Sequence, residues 1–346
     1  MSKPKIGIIN VTGYAGMELA RLLHQHSGVE LTSVTGRGAA GQKLGAVLPH
    51  LADIDLAIYP ELGKVDFVFS AMPHKDSAEA VIPLLDKGIK VVDISADFRI
   101  KKPGEYEKWY GLNHPAPALL EKSVYGLPEL HRSEVTSASL VANPGCYPTG
   151  AILAIAPAVK AGIFESYIVI DSKSGVSGAG RALSLHTHYC EADEDVAAYA
   201  IGGHRHFPEI IQELELLCPG ELPPTTFVPH LIPMKRGILT TAYASLSPGG
   251  IASGAKGLIG LKQLYLDFYK DEPFVKVVDF PPHVKHIWGS NFCLVHPTID
   301  QRTGRFIVIS AIDNLVKGAA GQAIQNMNLM LGLTETSGLE ALAVYP

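Results

Sequence analysis

Over residues 5–95 the chain alternates short apolar runs with stretches of helical spacing, and this alternation restricts the fold more than any other feature. Lys5–Ile9 is apolar, Asn10-Val11-Thr12-Gly13-Tyr14-Ala15-Gly16 is a turn, and Met17–His26 places Leu19, Leu22 and Leu23 on one side. Glu30–Thr35 reads as a second strand ending at Gly36-Arg37-Gly38, and Val65–Ser70 as another. A helix over Asp76–Lys87, closed by Gly88, leads to a strand over Lys90–Ser95. Strands joined through helices of this length predict a Rossmann-type, doubly wound parallel sheet.

The texture changes after about residue 150. Tyr167–Asp171, Thr225–His230, Leu239–Ser245, Phe274–Val278 and Arg305–Ala311 read as strands with few helices between them. Ser253–Tyr269 is the clear exception, with Ser253 suited to cap it. This pattern predicts an α+β domain on a mostly antiparallel sheet. Leu315–Leu331 is helical again and rich in small residues, suited to pack closely against the first domain. The expected division is therefore 1–145 with 315–346, and 146–314, without repeats or a low-complexity linker.

Composition excludes several function classes. With 29 Lys plus Arg against 34 Asp plus Glu, the chain lacks the basic excess of a nucleic-acid binder. No apolar run approaches the roughly 20 residues that span a bilayer, and Met1–Lys5 leads into a strand rather than a signal peptide. The four cysteines, Cys146, Cys190, Cys218 and Cys293, show no CxxC spacing, so neither disulfides nor zinc is expected. A cytoplasmic, reducing location follows as an expectation. His186-Thr187-His188-Tyr189-Cys190 imitates metal spacing, but no second ligand cluster accompanies it, and packing is the expected role of Cys190.

Asn10-x-x-Gly13-x-x-Gly16, between a strand and a helix, is the context of a dinucleotide turn, although a plain βα turn also fits. Gly13 would admit a pyrophosphate and Gly16 would allow close helix–strand packing. Asn10 replaces the usual first glycine and tolerates left-handed backbone. At the end of the second strand, Thr35 and Arg37 stand where an NAD site usually offers a carboxylate, which favours the 2′-phosphate of NADP.

Asn143-Pro144-Gly145-Cys146-Tyr147-Pro148-Thr149-Gly150 is the most informative stretch. It places Cys146 at or beside the N-terminus of a helix over Ala151–Ala161, with Pro148 preorganised for the first turn. The helix dipole there favours thiolate, and backbone N–H groups can receive an oxyanion. Packing is the expected role of the other three cysteines. A thiolate nucleophile needs a proton partner, and His204-Arg205-His206-Phe207-Pro208-Glu209-Ile210 supplies two histidines. The glycine loop Ser174–Arg181 would let a flat ring or a phosphate approach the backbone. Met234-Lys235-Arg236-Gly237 reads as a solvated turn, or else as an anion clamp.

Together these segments resemble one family along nearly the whole chain: N-acetyl-γ-glutamyl-phosphate reductase, within the aspartate-semialdehyde dehydrogenase superfamily. The landmarks begin with Gly13–Leu19, Ser95-Ala96-Asp97-Phe98-Arg99 and Tyr125-Gly126-Leu127-Pro128-Glu129. Asn143–Gly150, Ser174–Arg181 and His204–Ile210 follow, then Val228–Gly237 and Asp313–Ala323.

The resemblance implies NADPH-dependent reduction of N-acetyl-γ-glutamyl phosphate to N-acetylglutamate 5-semialdehyde and phosphate, the third step toward arginine. It implies Cys146 as nucleophile and His204 as acid/base, with His206 second. Cofactor contacts are expected at Gly13, Tyr14, Ala15, Gly16, Thr35, Arg37, Ser70, Pro73, Ser177, Gly178 and Asn314. Substrate contacts are expected at Arg99, Asn143, Arg181 and Glu209, with no metal and a homodimer or homotetramer as the assembly. Rival readings are a reductase for carrier-protein-bound aminoadipyl phosphate in lysine biosynthesis, aspartate-semialdehyde dehydrogenase, a non-catalytic NADP-binding module, and a zinc hydrolase using His186 and His188. Turnover of the free semialdehyde, loss of activity in Cys146→Ala and metal analysis separate them.

Overall fold

The computed structural model describes residues 2–218, 220–251 and 254–346, so the expected cap at Ser253 lies outside the described residues. The chain packs as two units, residues 1–145 with 319–341, and 146–318 with 342–346. The return to the first unit thus falls at Ala319, four residues after the expected Leu315, and the last five residues pack with the second unit.

The first unit opens with β1 (Lys5–Ile9), α1 (Tyr14–His24), β2 (Glu30–Thr35), α2 (Leu44–Val47) and β3 (Ile58–Tyr59). Then come β4 (Phe67–Ser70), α3 (Asp76–Asp86), β5 (Lys90–Asp93), α4 (Pro103–Tyr110) and α5 (Pro117–Lys122). It continues through β6 (Val124–Tyr125), α6 (Pro128–Ser137) and β7 (Leu140–Ala142). The strand order is β3-β2-β1-β4-β5-β7-β6, all parallel. The strands of the sheet's middle are near-continuous apolar runs, with Ile6, Ile8, Phe67, Val68, Phe69, Val91 and Val92 buried. Such runs are what a sheet covered on both faces requires.

The second unit begins with α7 (Cys146–Lys160), β8 (Phe164–Gly175), α8 (Tyr189–Ala192), β9 (Ala197–Ala198) and α9 (Phe207–Leu217). It continues with β10 (Thr225–Ile232), β11 (Ile238–Leu246), α10 (Gly254–Phe268), β12 (Val275–Val277), β13 (Cys293–Asp300) and β14 (Arg305–Ile312). The order β12-β13-β14-β11-β8-β10-β9 is mostly antiparallel, with parallel pairs β8–β10 and β12–β13. Burial alternates residue by residue along β11 and β13, so one face is solvated and the other packs on α7. Strand β13 was not expected from the sequence, where Pro297 and His296 interrupt the apolar run. Pro297 is tolerated because β12 pairs only as far as Val295, which leaves Pro297 on an open edge.

Helix α11 (Gly321–Met330) belongs to the first unit and follows a π-turn over Val316–Ala320, where one continuous helix had been expected. It packs against α6, β5 and α1. Its buried Gln322 and Asn326 donate to the Gly126 carbonyl at 2.8 Å each. A side chain at Gly126 would stand 2.5 Å from both Asn326 and Val141, which explains the glycine in the Tyr125–Glu129 landmark.

Candidate active site

In the first unit the turn after β1 has the geometry of a dinucleotide site. Asn10 has φ 65°, so it occupies the left-handed conformation that glycine usually supplies, and its amide is tied to the Ala71 carbonyl at 2.8 Å. A Cβ on Gly16 would collide with Asn10 O and lie 2.7 Å from Val11 Cα, so only glycine lets α1 approach β1 this closely. Helix α1 starts at Tyr14 with no side-chain cap and no acid in its first turn, which leaves its backbone donors available to an anion.

Beside this turn lies a cleft of about 500 Å³ lined by residues that include Asn10, Thr12, Thr35, Arg37, Pro73 and Asp76. The turn, the uncapped helix and the arginine together fit a phosphorylated dinucleotide. Ser70 is fully buried, and its hydroxyl is hydrogen-bonded to Ser77 at 2.7 Å, so it supports the cleft from behind rather than lining it.

Two residues outside the sequence expectation hold the cleft wall. Asp97, buried, accepts the backbone N–H groups of Lys75 (2.9 and 3.1 Å) and Ala78 (2.9 Å), and so caps α3 from another segment. Asp93, also buried, accepts from the Ser77 and Ser95 hydroxyls. Burial pushes its carboxyl up to about 6 against the opposing pull of those serines. Arg99, two residues beyond Asp97, is buried and donates to the Ile94 carbonyl at 2.7 Å.

In the second unit Cys146 is the first residue of α7, a helix buried along nearly its whole length. Helix therefore begins five residues earlier than expected, and Pro148 falls inside its first turn. A Cβ on Gly318 would stand 2.9 Å from Cys146 Cβ, so glycine there is required by the close approach of Cys146. Burial first, then Tyr199, and more weakly the neighbouring Cys146, raise the Tyr147 phenol, and burial with a smaller contribution from Cys146 raises Tyr199 to about 12.

These phenols form a chain of hydrogen bonds with fixed polarity. His204 Nδ1 accepts the His206 backbone N–H at 3.1 Å, which assigns the ring proton of neutral His204 to Nε2. Nε2 then donates to Tyr199 (3.4 Å), Tyr199 to Tyr147 (3.2 Å), and Tyr147 to the His230 carbonyl (2.9 Å). Burial first, and the Arg205 charge second, lower His204 to about 4, so it is neutral near pH 7. The His206 ring lies 4.8 Å from that of His204, and its Nε2 is 4.0 Å from the fully buried Glu209. The structure thus gathers Cys146, Tyr147, Tyr199, His204 and His206. The two tyrosines were not singled out in the sequence, although Tyr147 adjoins the cysteine.

The glycine loop and the end of β14 also meet. Asn314 donates to Ser177 Oγ at 3.0 Å and accepts the Gly237 N–H at 2.5 Å. Gly175 is pressed against the Met234–Arg236 backbone, where a Cβ would be 2.7 Å from Arg236 N. Arg236 is held by buried Asp313 at 2.9 Å, so it braces this loop rather than standing as a solvated turn or an anion clamp.

The remaining candidates disperse. Arg181 is exposed, and Glu209 sits beside His206. Asn143 spends its amide within the first unit, donating to Ala319 O and accepting from Asn326, so its expected substrate contact gives way to a bracing role. Cys190 is exposed, contrary to the packing role expected of it, because its short helix lies on the surface. Among the described residues no His, Cys, Asp and Glu group could hold a metal, and no helix is long and apolar enough to cross a membrane.

Comparison with known proteins places these features in a family. The model for the semialdehyde dehydrogenase NAD binding domain matches residues 5–138, and that for the semialdehyde dehydrogenase dimerisation domain matches 146–314. A protein of Dehalococcoides mccartyi strain CBDB1, named N-acetyl-gamma-glutamyl-phosphate reductase, is 57% identical over 100% of both chains. One of the same name from Citrifermentans bemidjiense is 50% identical over 99% of each. In fold the chain is similar to aspartate semialdehyde dehydrogenase II of Vibrio cholerae (TM-score 0.70, 14% identity, 96% of this chain and 99% of that one). The Candida albicans aspartate semialdehyde dehydrogenase with NADP is also similar (TM-score 0.68, 16% identity, 95% and 99%).

Proposed function

Because this chain belongs to the N-acetyl-gamma-glutamyl-phosphate reductase family, we infer that it reduces N-acetyl-γ-glutamyl phosphate to N-acetylglutamate 5-semialdehyde, with NADPH as reductant and phosphate released. The observation that carries this reading is Cys146 at the head of α7, among Tyr147, Tyr199, His204 and His206.

The thiolate of Cys146, favoured by the helix N-terminus, attacks the acyl carbon. Negative charge develops on the carbonyl oxygen, and backbone N–H groups at the start of α7 are suited to receive it. Phosphate departs, and the acyl group stays on sulfur as a thioester. Bound NADPH supplies the hydride that this thioester needs. Gly13, Tyr14, Ala15 and Gly16 would hold the pyrophosphate, Thr35, Arg37 and Pro73 the adenosine side, and Ser177, Gly178 and Asn314 the nicotinamide side. The reduced adduct releases aldehyde when its hydroxyl proton leaves and sulfur departs as thiolate.

The pair His204–His206 is the proton partner. His204 already uses both ring nitrogens, so the arrangement favours His206 as the group that moves the proton, with Glu209 orienting it. Arg99 and Arg181 are the candidates for the phosphate and carboxylate. A cytoplasmic homodimer or homotetramer fits the dimerisation-domain match and the unoxidised thiol that the reaction requires.

The purified protein, given N-acetylglutamate 5-semialdehyde, phosphate and NADP⁺, should form NADPH. Cys146→Ala should abolish this while NADP⁺ binding stays within a few-fold. Absence of turnover in the unaltered protein would refute the assignment.

A further inference from the structure

The cleft of the first unit contains an acid at the point where an anion is expected. Arg37 Nη1 lies 3.4 Å from Asp76 Oδ2, and both residues line the cleft together with Thr35, Gly36 and Gly38. Asp76 is the first residue of α3, yet the helix does not depend on it for capping: Asp97 already receives the Lys75 and Ala78 N–H groups. The Arg37 guanidinium is the only side-chain partner of Asp76 among the described residues.

We propose that Asp76 is a selectivity residue for the cofactor. This role rests on the reading of this cleft as the NADP site. A 2′-phosphate carries roughly −1.5 to −2 charges near neutral pH and needs the same guanidinium that Asp76 engages. Asp76 therefore competes for Arg37 and repels the phosphate at close range. A 2′-hydroxyl is neutral and can donate to that carboxylate, as it does to the acidic residue of NAD sites. The Asp76 carboxylate thus penalises NADP(H) and supports NAD(H), so the cleft accepts NAD(H) as a second, weaker cofactor. The two side chains are 80% and 46% exposed, so solvent screens the pair and the effect is modest rather than absolute.

Titration calorimetry of NADP⁺ and NAD⁺ into the unaltered protein, Asp76→Asn and Asp76→Ser tests this without relying on turnover. The unaltered protein should bind both nucleotides, NADP⁺ more tightly. Both variants should raise the NADP⁺-to-NAD⁺ affinity ratio by roughly two- to fivefold at low salt, and by less at about 1 M salt, where exposed charges are screened. Two variants are used because each removes the charge while keeping a short polar side chain at this position. An unchanged ratio, with NADP⁺ still bound, would overturn the role of Asp76 and leave the cleft's assignment standing. Failure of the unaltered protein to bind either nucleotide would overturn both.

Discussion

At the residue scale the sharpest division lies between the two histidines. His204 is neutral near pH 7, lowered to about 4, and its nitrogens are committed to the His206 N–H and to Tyr199. Replacing it with Asn should preserve much of that bonding and reduce kcat by about tenfold or less. On the role proposed for His206, His206→Asn should cost on the order of 10²–10⁴ in kcat. The pH–rate limb reporting that group should vanish only in the second variant. Equal losses in both, with the limb retained, would return the role to His204. Arg37 makes a separate prediction. Arg37→Ala should raise the NADP Michaelis constant about tenfold, the worth of a good charge-assisted contact; an unchanged constant would put the 2′-phosphate elsewhere. The placement of Cys146 at a helix start was readable because Pro144-Gly145 and the following helix are local signals. Tyr199 was not, because its meaning depends on β9 and the loop after it placing its hydroxyl between His204 and Tyr147.

At the scale of elements, the buried acids of the first unit hold α3 and the turn before it. Lys75 precedes the helix with φ 80°, a conformation that costs a non-glycine residue energy. Asp97 compensates with its hydrogen bonds to Lys75 and Ala78 and with one accepted from the Tyr106 hydroxyl at 3.2 Å. Asp97→Ala should therefore destabilise the protein by about 2–4 kcal/mol in denaturant titration, more than a surface cap supplies. A loss below about 0.5 kcal/mol would contradict that role.

Asp93 makes a prediction of the opposite kind. Its folded carboxyl is raised to about 6, so the folded state holds its proton where the unfolded state releases it. The stability this gives is present below the unfolded value of about 4 and is lost as pH rises through about 6. The stability of the unaltered protein minus that of Asp93→Asn should fall across this window; a flat difference would show that Asp93 titrates normally. None of this network was legible in sequence. The landmark Ser95–Arg99 marked the segment, but a cap supplied across the fold leaves no local pattern. By contrast β1, β2 and α3 were legible nearly to the residue, because apolar runs and Gly88 punctuate them.

At the scale of the molecule, the two units were legible from the change in texture near residue 150. The strand β13 was not, since pairing with β14 overrides a proline at a half-open edge. Each unit carries part of the reaction's requirements: an anion-ready dinucleotide cleft in the first, and a thiol at a helix N-terminus with its histidines in the second. The central claim is that these requirements serve covalent catalysis at Cys146. The direct test is to mix the protein with N-acetyl-γ-glutamyl phosphate without NADPH, quench rapidly in acid and analyse the peptides by mass spectrometry. The account predicts about one phosphate released per chain, with one N-acetylglutamyl group on the peptide bearing Cys146 that disappears when NADPH is added. Phosphate release without an adduct, or an adduct on another residue, would contradict it.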